Sequence, residues 1–552
     1  MIFSSFMRGC RIGTAVVALL MVGSAGAAAR AQAAPEEAAT AGQGRILLVL
    51  PFDNRTGQPS LDWIREAVPQ VLGRRFASAG FAPMSRQDRL YALDHLGLPA
   101  GFQPSRASAL KLAQTLDADS IVVGSYRTEG TQIEAEAQVV DVPHLRMSAP
   151  VSARGEIRDM LAVFDSLAWK LTRGMDPDFS VAEETFVVAG RGVRLDAFEQ
   201  YTRGITEPDH EERLRHLHQA VTLSPDLSAA WTALGREDFS AGQYDEAAAA
   251  FARVSGNDPD ALEAGFDRGL VLLFSGSYAE AEKAFAGVAR VLPLAEVLNN
   301  QAVAVSRQGH DASALFVSAE TADPNAPDYH FNLAVSLKRR GSASAALSEL
   351  RQCLKLRPSD SEAQQLEKEW SAPAAVATTG GANLIDGAKV DGAKTDPLER
   401  IVRTFDAAAF RQAAVMMNEM QAARLQALAP HERAVKLAEQ ANEYLNRGLL
   451  LEAERLYQSS AGADGSVAEA HAGLAEVRER TGDTASARKE AEAALKLKPS
   501  AEAYLVLGRL DLAANHMDDA RKEADAAARL EPASKAAQEL SRQAALKAGR
   551  SQ

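Results

Sequence analysis

The stretch WTALGREDFSAGQYDEAAAAFARVSGNDP (231–259) decides the fold of this chain. It contains a glycine at 242, an alanine five residues later and a proline twelve residues after that alanine. The same order returns at a period of about 34 residues, which is the sequence signature of a stacked repeat. The prolines of this series are Pro225, Pro259, Pro293, Pro324 and Pro358, then Pro499 and Pro532.

Each residue of the pattern has a physical role in a pair of helices joined by a turn. Glycine suits the end of the first helix, where a positive φ is needed. Alanine fits where the two helices approach most closely, and proline ends the second helix because it cannot continue it. The alanines are Ala247, Ala281, Ala346, Ala487 and Ala520; the glycines are Gly242, Gly276, Gly341 and Gly482, and two further pairs are Gly309 with Ala314 and Gly448 with Ala453.

This unit resembles the tetratricopeptide repeat, a resemblance carried by Trp231, Leu234, Gly235, Ala247, Phe251 and Pro259. The resemblance implies a mostly α fold, a helical solenoid in two blocks, after a small α/β domain. We expect about eight units and a solvating cap helix over Ser534 to Lys547. The units are 194–226, 228–261, 262–294, 295–326, 327–360, 434–467, 468–500 and 501–533, and the unit that ends at Pro324 has a second helix shorter by two residues.

The predicted organisation places a flexible linker, rich in Ala, Gly and Thr, at 371–397. Leu398 to Leu428 has helical spacing again and predicts a divergent helix pair, broken near Asp406, that opens the second block. The predicted segments are a signal peptide at 1–33, an α/β domain at 44–180, repeats at 194–370, the linker, and helices and repeats at 398–547.

The α/β domain is predicted from alternating apolar patterns. ILLVLPF (46–52) indicates a buried strand, and 61–79 indicates a helix in which Pro69 should cause a break or kink. A second helix should span Ser105 to Leu116, with Ser105 as its N-cap. Three strands and a closing helix are expected at 120–127, 132–142, 145–153 and 157–171.

This order of elements resembles the TolB amino-terminal domain and the domains of flagellar and curli assembly proteins. The resemblance is carried by PFDN (51–54), Ala118-Asp119 and Val123-Gly124-Ser125. It implies a role in assembly and partner contacts, and association with envelope or outer-membrane complexes.

The first residues have the layout of a secretory signal peptide. Arg8 and Arg11 precede an apolar stretch from Ile12 to Ala29, and Ala31-Gln32-Ala33 is a cleavage pattern. The alternative is an uncleaved membrane anchor. Export to the periplasm or the medium is therefore expected.

Charge and cysteine content exclude several classes of protein. The net charge is −13, which disfavours a general nucleic-acid binder. The two cysteines, Cys10 and Cys353, cannot form a four-cysteine zinc site. Cys353 falls at a small-residue position of a repeat, which favours a buried structural thiol over a nucleophile.

No catalytic motif or resident cofactor is indicated by the sequence, and we expect neither a metal nor a catalytic site. His210, His216 and His218 are more consistent with a solvated helix than with a metal site. The loop 53–56 favours a plain turn over a functional loop. An enzyme with its site in the α/β domain is the least favoured alternative. Met416, Met417 and Met420 favour core packing over a ligand cup.

The resemblance to tetratricopeptide proteins implies that the first helices of the units line a concave groove that holds an extended or helical peptide. Asn and basic side chains there could hold peptide backbone or carboxylate. The alternative, equally weighted, is that Asn300 and Asn332 tie adjacent repeats together and that the basic groups are solvated. The groove candidates are Phe266, Leu270, Phe274, Asn299, Asn300, Arg307, Phe331, Asn332, Lys338 and Arg339. We therefore expect an exported, non-enzymatic scaffold that binds proteins or peptides, or alternatively an outer-membrane assembly or secretion factor.

Overall fold

The computed structural model describes residues 46–190, 192–372 and 397–548. The predicted signal peptide and most of the predicted linker lie outside these residues. The fold within them is a small α/β domain followed by a helical solenoid, as the sequence predicts.

The α/β domain is built on one sheet with strand order β3-β1-β4-β5-β6, in which β2 also pairs with β4 and β7 with β5. β1 runs parallel to β3 and β4, whereas β5 is antiparallel to β4, β6 and β7. The strands are β1 Ile46–Val49, β2 Asp53–Asn54, β3 Ala82–Pro83, β4 Ser120–Glu129, β5 Gln132–Asp141, β6 Arg146–Met147 and β7 Val151–Glu156. The predicted third strand, at 145–153, is thus divided between β6 and β7.

Helices cover the sheet and continue the chain toward the repeats. The N-cap prediction for Ser105 is confirmed, because its side chain accepts a hydrogen bond from the amide of Ser108. The helices of this part are α1 Ile64–Ser78, α2 Arg86–His95, α3 Arg106–Thr115, α4 Met160–Met175 and α5 Glu183–Ala189. Sequence reasoning missed α2, although Ser85 and Asp88 form a capping box at its start.

The expected break at Pro69 is not found, since α1 is one continuous helix from Ile64 to Ser78; a kink there stays a prediction. A proline inside a helix normally leaves the carbonyl four residues earlier without a partner. Here that carbonyl belongs to Arg65, and it accepts a hydrogen bond from the amide of Phe52 at 3.2 Å. The strand-to-helix connection therefore satisfies the group that Pro69 leaves unpaired.

The solenoid consists of helix pairs that follow the predicted units closely, although the first helices of units 262–294 and 434–467 start earlier, at Ala261 and Pro430. Three of the described helices, Ser361–Ser371, Ala407–Gln426 and Lys535–Ala548, lie outside the eight units. The first block contains α6 Leu195–Thr206, α7 His210–Leu223, α8 Ser228–Ser240, α9 Tyr244–Phe251, α10 Ala261–Phe274, α11 Tyr278–Val291, α12 Ala295–Arg307, α13 Ser313–Ala322, α14 Pro327–Arg339, α15 Ala343–Leu356 and α16 Ser361–Ser371. The second contains α17 Ala407–Gln426, α18 Pro430–Asn446, α19 Leu450–Ala463, α20 Ala468–Thr481, α21 Thr484–Leu497, α22 Ala501–Ala513, α23 Met517–Leu530 and α24 Lys535–Ala548.

The turns of the repeats have the backbone conformation that the glycines predicted. Gly242 and Gly276, for example, have φ of 76° and 81°. In the last unit Asn515 takes this place with φ 65°, five residues before Ala520. Asparagine is among the few other residues that adopt this conformation readily. The alanines predicted at the helix crossings, Ala247, Ala281, Ala346, Ala487 and Ala520, are fully buried.

One predicted crossing residue is misplaced. Ala314 is exposed, whereas Ala312 and Phe316 are buried in the core of that unit. Ala312 lies twelve residues before Pro324, the spacing that the other units keep. The shortened turn after Gly309 therefore moves the crossing to Ala312, and counting from the glycine failed where counting from the proline would have succeeded.

A recurring hydrogen bond fixes the start of the first helix in several units. The side chain of a residue in the first turn bonds to the carbonyl six residues earlier, in the preceding loop. The pairs are Trp231 with Pro225, His330 with Pro324, Gln364 with Pro358, His471 with Gly465, and Gln538 with Pro532. This bond satisfies a loop carbonyl that the end of the preceding helix leaves open.

Residues 397–406, which we call the strap, do not form the predicted first helix of a pair. The strap is non-helical, and the helix that follows it starts at Ala407. Ile401, Val402 and Phe405 imitate a helical stripe, but they pack against the first repeat block instead. The methionines assigned to the core are also exposed, with 61% of Met416, 49% of Met417 and 51% of Met420 accessible.

The second block packs against the end of the α/β domain through a buried carboxylate. Glu454 accepts hydrogen bonds from the amide of Ala182 at 3.1 Å and from the hydroxyl of Thr185, and Arg478 pairs with it at 2.6 Å. Burial raises the pKa of Glu454, an effect that Arg478 opposes. In the part of the chain that the structure describes, every helix is too short or too polar to span a bilayer.

Candidate functional site

The face formed by α10, α12 and α14, with the start of α16, holds the strap; we call this face the groove. Two asparagines one repeat apart bind its main chain. Asn332 donates to the carbonyl of Arg400 at 2.7 Å and accepts from its amide at 2.6 Å. Asn300 does the same with Val402, at 2.7 Å and 3.0 Å. Asparagines in successive repeats therefore bind residues that are two positions apart in the strap.

Basic groups of the groove enclose the carboxylate of Glu399, which is buried. Arg307 donates to it at 3.1 Å, and Arg339 and the hydroxyl of Ser306 also contact it. Arg339 additionally donates to the carbonyl of Pro397 at 2.8 Å. Because these bonds involve charged groups in a site sheltered from water, they are stronger than ordinary hydrogen bonds.

The next side chain, Arg400, enters a pocket of opposite charge. Its guanidinium lies 2.8 Å from Asp328, 2.6 Å from Asp360 and 3.0 Å from Glu362. It also lies over the ring of Phe331, 3.6 Å from the centroid, as in a cation–π contact. Only 20% of the Arg400 side chain is exposed.

The arginines of this pocket lower the pKa values of its aspartates. Hydrogen bonds from Arg400 lower the pKa of the Asp360 carboxyl. Burial would raise the pKa of Asp328, but hydrogen bonds from Arg357 and Arg400 outweigh it, so that this pKa is also lowered. With Arg400 in place, both aspartates are therefore held in the charged form.

The remaining strap contacts are apolar or aromatic. The ring of Phe405 lies 5.4 Å from that of Phe266, centroid to centroid, and Ile401 joins the same core cluster. The guanidinium of Arg403 lies 5.0 Å from the centroid of Phe274. At the end of the strap, the amide of Asp406 donates to Glu296 at 3.1 Å.

The predicted groove residues divide into those that contact the strap and those that do not. Leu270 is buried within the core cluster against which Ile401 and Phe405 pack. Lys338 lies over the ring of Trp370, 5.3 Å from its centroid. The strap contacts are made by Phe266, Phe274, Asn299, Asn300, Arg307, Phe331, Asn332 and Arg339.

The alternative, that the asparagines tie adjacent repeats together, is found for Asn332, whereas Asn300 bonds to Asn299 of its own helix and to Val402. The basic groups Arg307 and Arg339 are paired with Glu399 and not merely solvated. Asn332 donates to Asn299 of the preceding repeat at 2.8 Å, and Arg339 donates to Ser306 at 3.0 Å. The same side chains bind the strap, so the link between repeats also sets the asparagines in position for the bound backbone. Their binding of a partner's peptide stays a prediction.

Sequence reasoning missed the acidic pocket of Asp328, Asp360 and Glu362. Asp328 and Asp360 lie 32 residues apart, close to the repeat period, which was an available signal. Asp360 also caps α16, because its side chain accepts from the amide of Ala363. Its capping role alone would have accounted for an acidic residue there.

A second concave region lies between the α/β domain and the first repeats, a cavity of about 300 Å³. Many charged groups line it, and its arginines pair with carboxylates in or beside the cavity. Arg74 lies 3.0 Å from Asp258, Arg213 lies 3.0 Å from Glu237, and Arg89 lies 2.5 Å from Glu66. The mutual pairing indicates an interface between the two parts of the chain.

The other candidate side chains are separated from one another. Within the described ranges, no group of three His, Cys, Asp or Glu side chains could hold a metal ion. His210 contacts Glu237 at 3.2 Å, whereas His216 contacts Gln200 at 2.6 Å. Cys353 is buried, as predicted, and burial raises its pKa to about 11. Asp53 and Asn54 form β2, and Asn54 then closes a turn by accepting from the amide of Thr56.

A family model of the tetratricopeptide repeat matches residues 232–293 and 438–502, one segment in each block. The chain carries tetratricopeptide repeats. This repeat is typically a non-enzymatic scaffold for protein interaction, so protein or peptide partners are supported. No curated protein matches the chain, and the resemblance of the α/β domain to the TolB type is not confirmed.

Solved tetratricopeptide proteins are similar to part of the chain. MamA from Desulfovibrio magneticus RS-1 is 20% identical, with 31% of this chain and 99% of that one covered and a TM-score of 0.28. YrrB, described as a TPR protein with an unusual peptide-binding site, is 17% identical over 34% and 100%, with a TM-score of 0.29. The first TPR domain of human RPAP3 is 24% identical over 22% and 95%, with a TM-score of 0.21.

Proposed function

We propose that the protein is an exported, non-enzymatic tetratricopeptide scaffold that binds an extended segment of a partner protein in the groove and assembles complexes in the cell envelope. One observation supports the binding role above all others. Asn300 and Asn332 each bond to both the amide and the carbonyl of one residue of an extended chain. Such paired bonds recognise backbone, and they suit any partner that presents an extended segment.

The test is to crosslink the protein to its partners in cells, recover the crosslinked complexes from envelope extract, and identify the partners by mass spectrometry. We expect Asn332→Ala/Arg339→Ala to lose the proteins that the wild type recovers, because it removes bonds to backbone and to carboxylate. A matched control is Asn325→Ala/Arg340→Ala, which changes the same residue types at exposed positions nearby in the sequence. Equal recovery by wild type and the groove variant would contradict binding in the groove.

Export rests on the amino-terminal pattern and has its own test. We expect the mature protein to start after Ala33, which sequencing of its amino terminus would check. Fractionation separates a periplasmic or secreted protein from one anchored by an uncleaved signal. The second candidate function is an outer-membrane assembly or secretion factor. It requires the protein to fractionate with membrane partners and the crosslinked partners to be outer-membrane proteins.

A further inference from the structure

We propose that the strap is a built-in competitor of the partner, and that its sequence reports what the groove selects. The selected ligand is an extended peptide with an acidic residue, an arginine and two apolar residues in succession, as in Glu399-Arg400-Ile401-Val402 of the strap. The partner's segment occupies the groove only after the strap has left it. This inference rests on the proposed function and adds the identity of the ligand and its control.

The first step of the argument is that the strap is bound as a peptide ligand would be. Its backbone is held by asparagine side chains, and its two charged side chains enter complementary pockets. Glu399 is buried between Arg307 and Arg339, and Arg400 lies against Phe331 and three carboxylates. Burial of a charged side chain can lower the free energy only where oppositely charged groups and hydrogen-bond partners compensate for the lost water.

The second step is that the two pockets determine both specificity and order along the chain. An arginine at 399 would meet two guanidinium groups, and a glutamate at 400 would meet three carboxylates. Like charges in such positions repel, which rejects a peptide with the reversed order. The groove therefore distinguishes a peptide in which the acidic residue precedes the arginine from one in which it follows, although the asparagines bind the backbone of either peptide equally well.

The third step is that tethering makes the strap a strong competitor. Residue 372 ends the described part of the first block and the strap starts at 397, so the strap follows its own groove in one chain. A segment in the same chain as its groove binds intramolecularly and competes at an effective concentration that a free peptide does not have. A free peptide must exceed that competition, and weakening the strap should therefore increase apparent affinity for the same peptide supplied from outside.

The experiment titrates a fluorescein-labelled peptide, PLERIVRTF, into the full-length protein and follows fluorescence anisotropy. The strap variant is Glu399→Ala/Arg400→Ala, and the matched control is Leu398→Ala, since 58% of Leu398 is exposed. We expect the strap variant to bind the peptide with an apparent Kd at least about 10-fold lower than wild type, as tethered competition requires. Leu398→Ala should match wild type, and PLREIVRTF should bind the strap variant at least about 10-fold more weakly than PLERIVRTF.

The outcomes separate this inference from the proposed function. Equal Kd values for wild type and the strap variant would overturn competition by the strap, while binding in the groove would stand. Equal binding of the two peptides would overturn the selected order. If a folded strap variant does not bind PLERIVRTF, the inference is overturned. The proposed function is then still tested separately, by the recovery of partners in cells. Arg400→Ala alone serves as the strap variant if circular dichroism shows that the double variant is unfolded.

Discussion

The side chain of Asn332 binds both main-chain polar groups of Arg400, donating to its carbonyl oxygen at 2.7 Å and accepting from its amide nitrogen at 2.6 Å. The donor and acceptor of one side-chain amide thus replace the partner strand that an extended residue would have in a sheet. Asn300 repeats the arrangement at Val402. Repeats spaced by 32 residues are therefore matched to peptide residues spaced by two.

Removing one asparagine should expose the strap backbone to solvent. In Asn332→Ala we expect the amide of Arg400 to exchange its hydrogen at least about 5-fold faster, since one lost hydrogen bond costs about 1 kcal/mol. Hydrogen exchange followed by mass spectrometry on peptides that cover 397–406 measures this. Asn325→Ala is the control, and unchanged exchange in Asn332→Ala would contradict the role of the asparagine.

The contact of Gly269 with Phe285 predicts a size limit at the helix crossing. A Cβ at Gly269 would lie 2.6 Å from the Phe285 ring, so Gly269→Ala should destabilise the fold by about 1–3 kcal/mol. Gly287→Ala is the control within the same unit, because no atom lies within 4 Å of its added Cβ. There we expect a gain of up to about 1 kcal/mol from helix propensity. Urea denaturation measures both, and equal effects would refute the packing argument.

The pair of His330 and Glu349 predicts a pH-dependent stability. Burial lowers the pKa of His330, but the bonds to Glu349 and to the Pro324 carbonyl outweigh it, and the pKa is raised above its usual 6.5. A raised pKa means that the protonated form stabilises the fold. This contribution is complete below pH 6.5 and is lost as the pH rises through the folded-state pKa.

His330→Gln tests this contribution because glutamine keeps a donor for the loop carbonyl, as Gln364 does in the next unit. We expect the melting temperature of wild type to exceed that of the variant most at about pH 6 and least at about pH 9. Thermal melts across this range measure the difference. A constant difference at all pH values would show that His330 acts only through its hydrogen-bond geometry.

The buried Glu454 predicts that the second block can be detached from the α/β domain. Glu454→Ala leaves Arg478, the amide of Ala182 and the Thr185 hydroxyl without their shared partner. Breaking a buried pair in this way typically costs about 3–5 kcal/mol. We expect faster proteolytic cleavage near α5, with Glu443→Ala, which changes an exposed glutamate, as the control. Identical cleavage patterns would exclude Glu454 as the link.

Cys353 should be unreactive in the native protein. It is buried and its pKa is raised to about 11, so that little thiolate is present at neutral pH. Labelling with a maleimide of the chain from residue 34 onward, in which Cys353 is the one cysteine, should be slow in buffer and fast in denaturant. Rapid native labelling would indicate that the α14–α16 region opens locally.

The repeats could be predicted from the sequence because their determinants are local and recur. Gly242, Ala247 and Pro259 act within a single unit, and each has one physical reason for its place. The fourth unit, 295–326, shows where this reasoning fails, since a shortened turn changed the spacing from Gly309 to Ala312 but not from Ala312 to Pro324. A pattern counted from one landmark is wrong wherever a deletion falls beside that landmark.

The strap could not be predicted, because nothing near it in the sequence explains its conformation. Ile401, Val402 and Phe405 have the spacing of a helix face, and a helix is what local pattern indicates. Their actual conformation is imposed by residues 68 to 110 positions earlier, such as Asn332 and Glu296. The groove side chains were predictable from the repeat register, but their occupant was not.

The order of the strap and its groove along the chain has a consequence for synthesis. Because a chain emerges amino terminus first, from the ribosome or from the far side of an export channel, and domains fold as units, the first block can form before residues 397–406 emerge. The groove can therefore be complete at a stage in which the strap is not yet present. A partner that meets the chain during that interval binds without competition, whereas one that arrives later must first displace the strap.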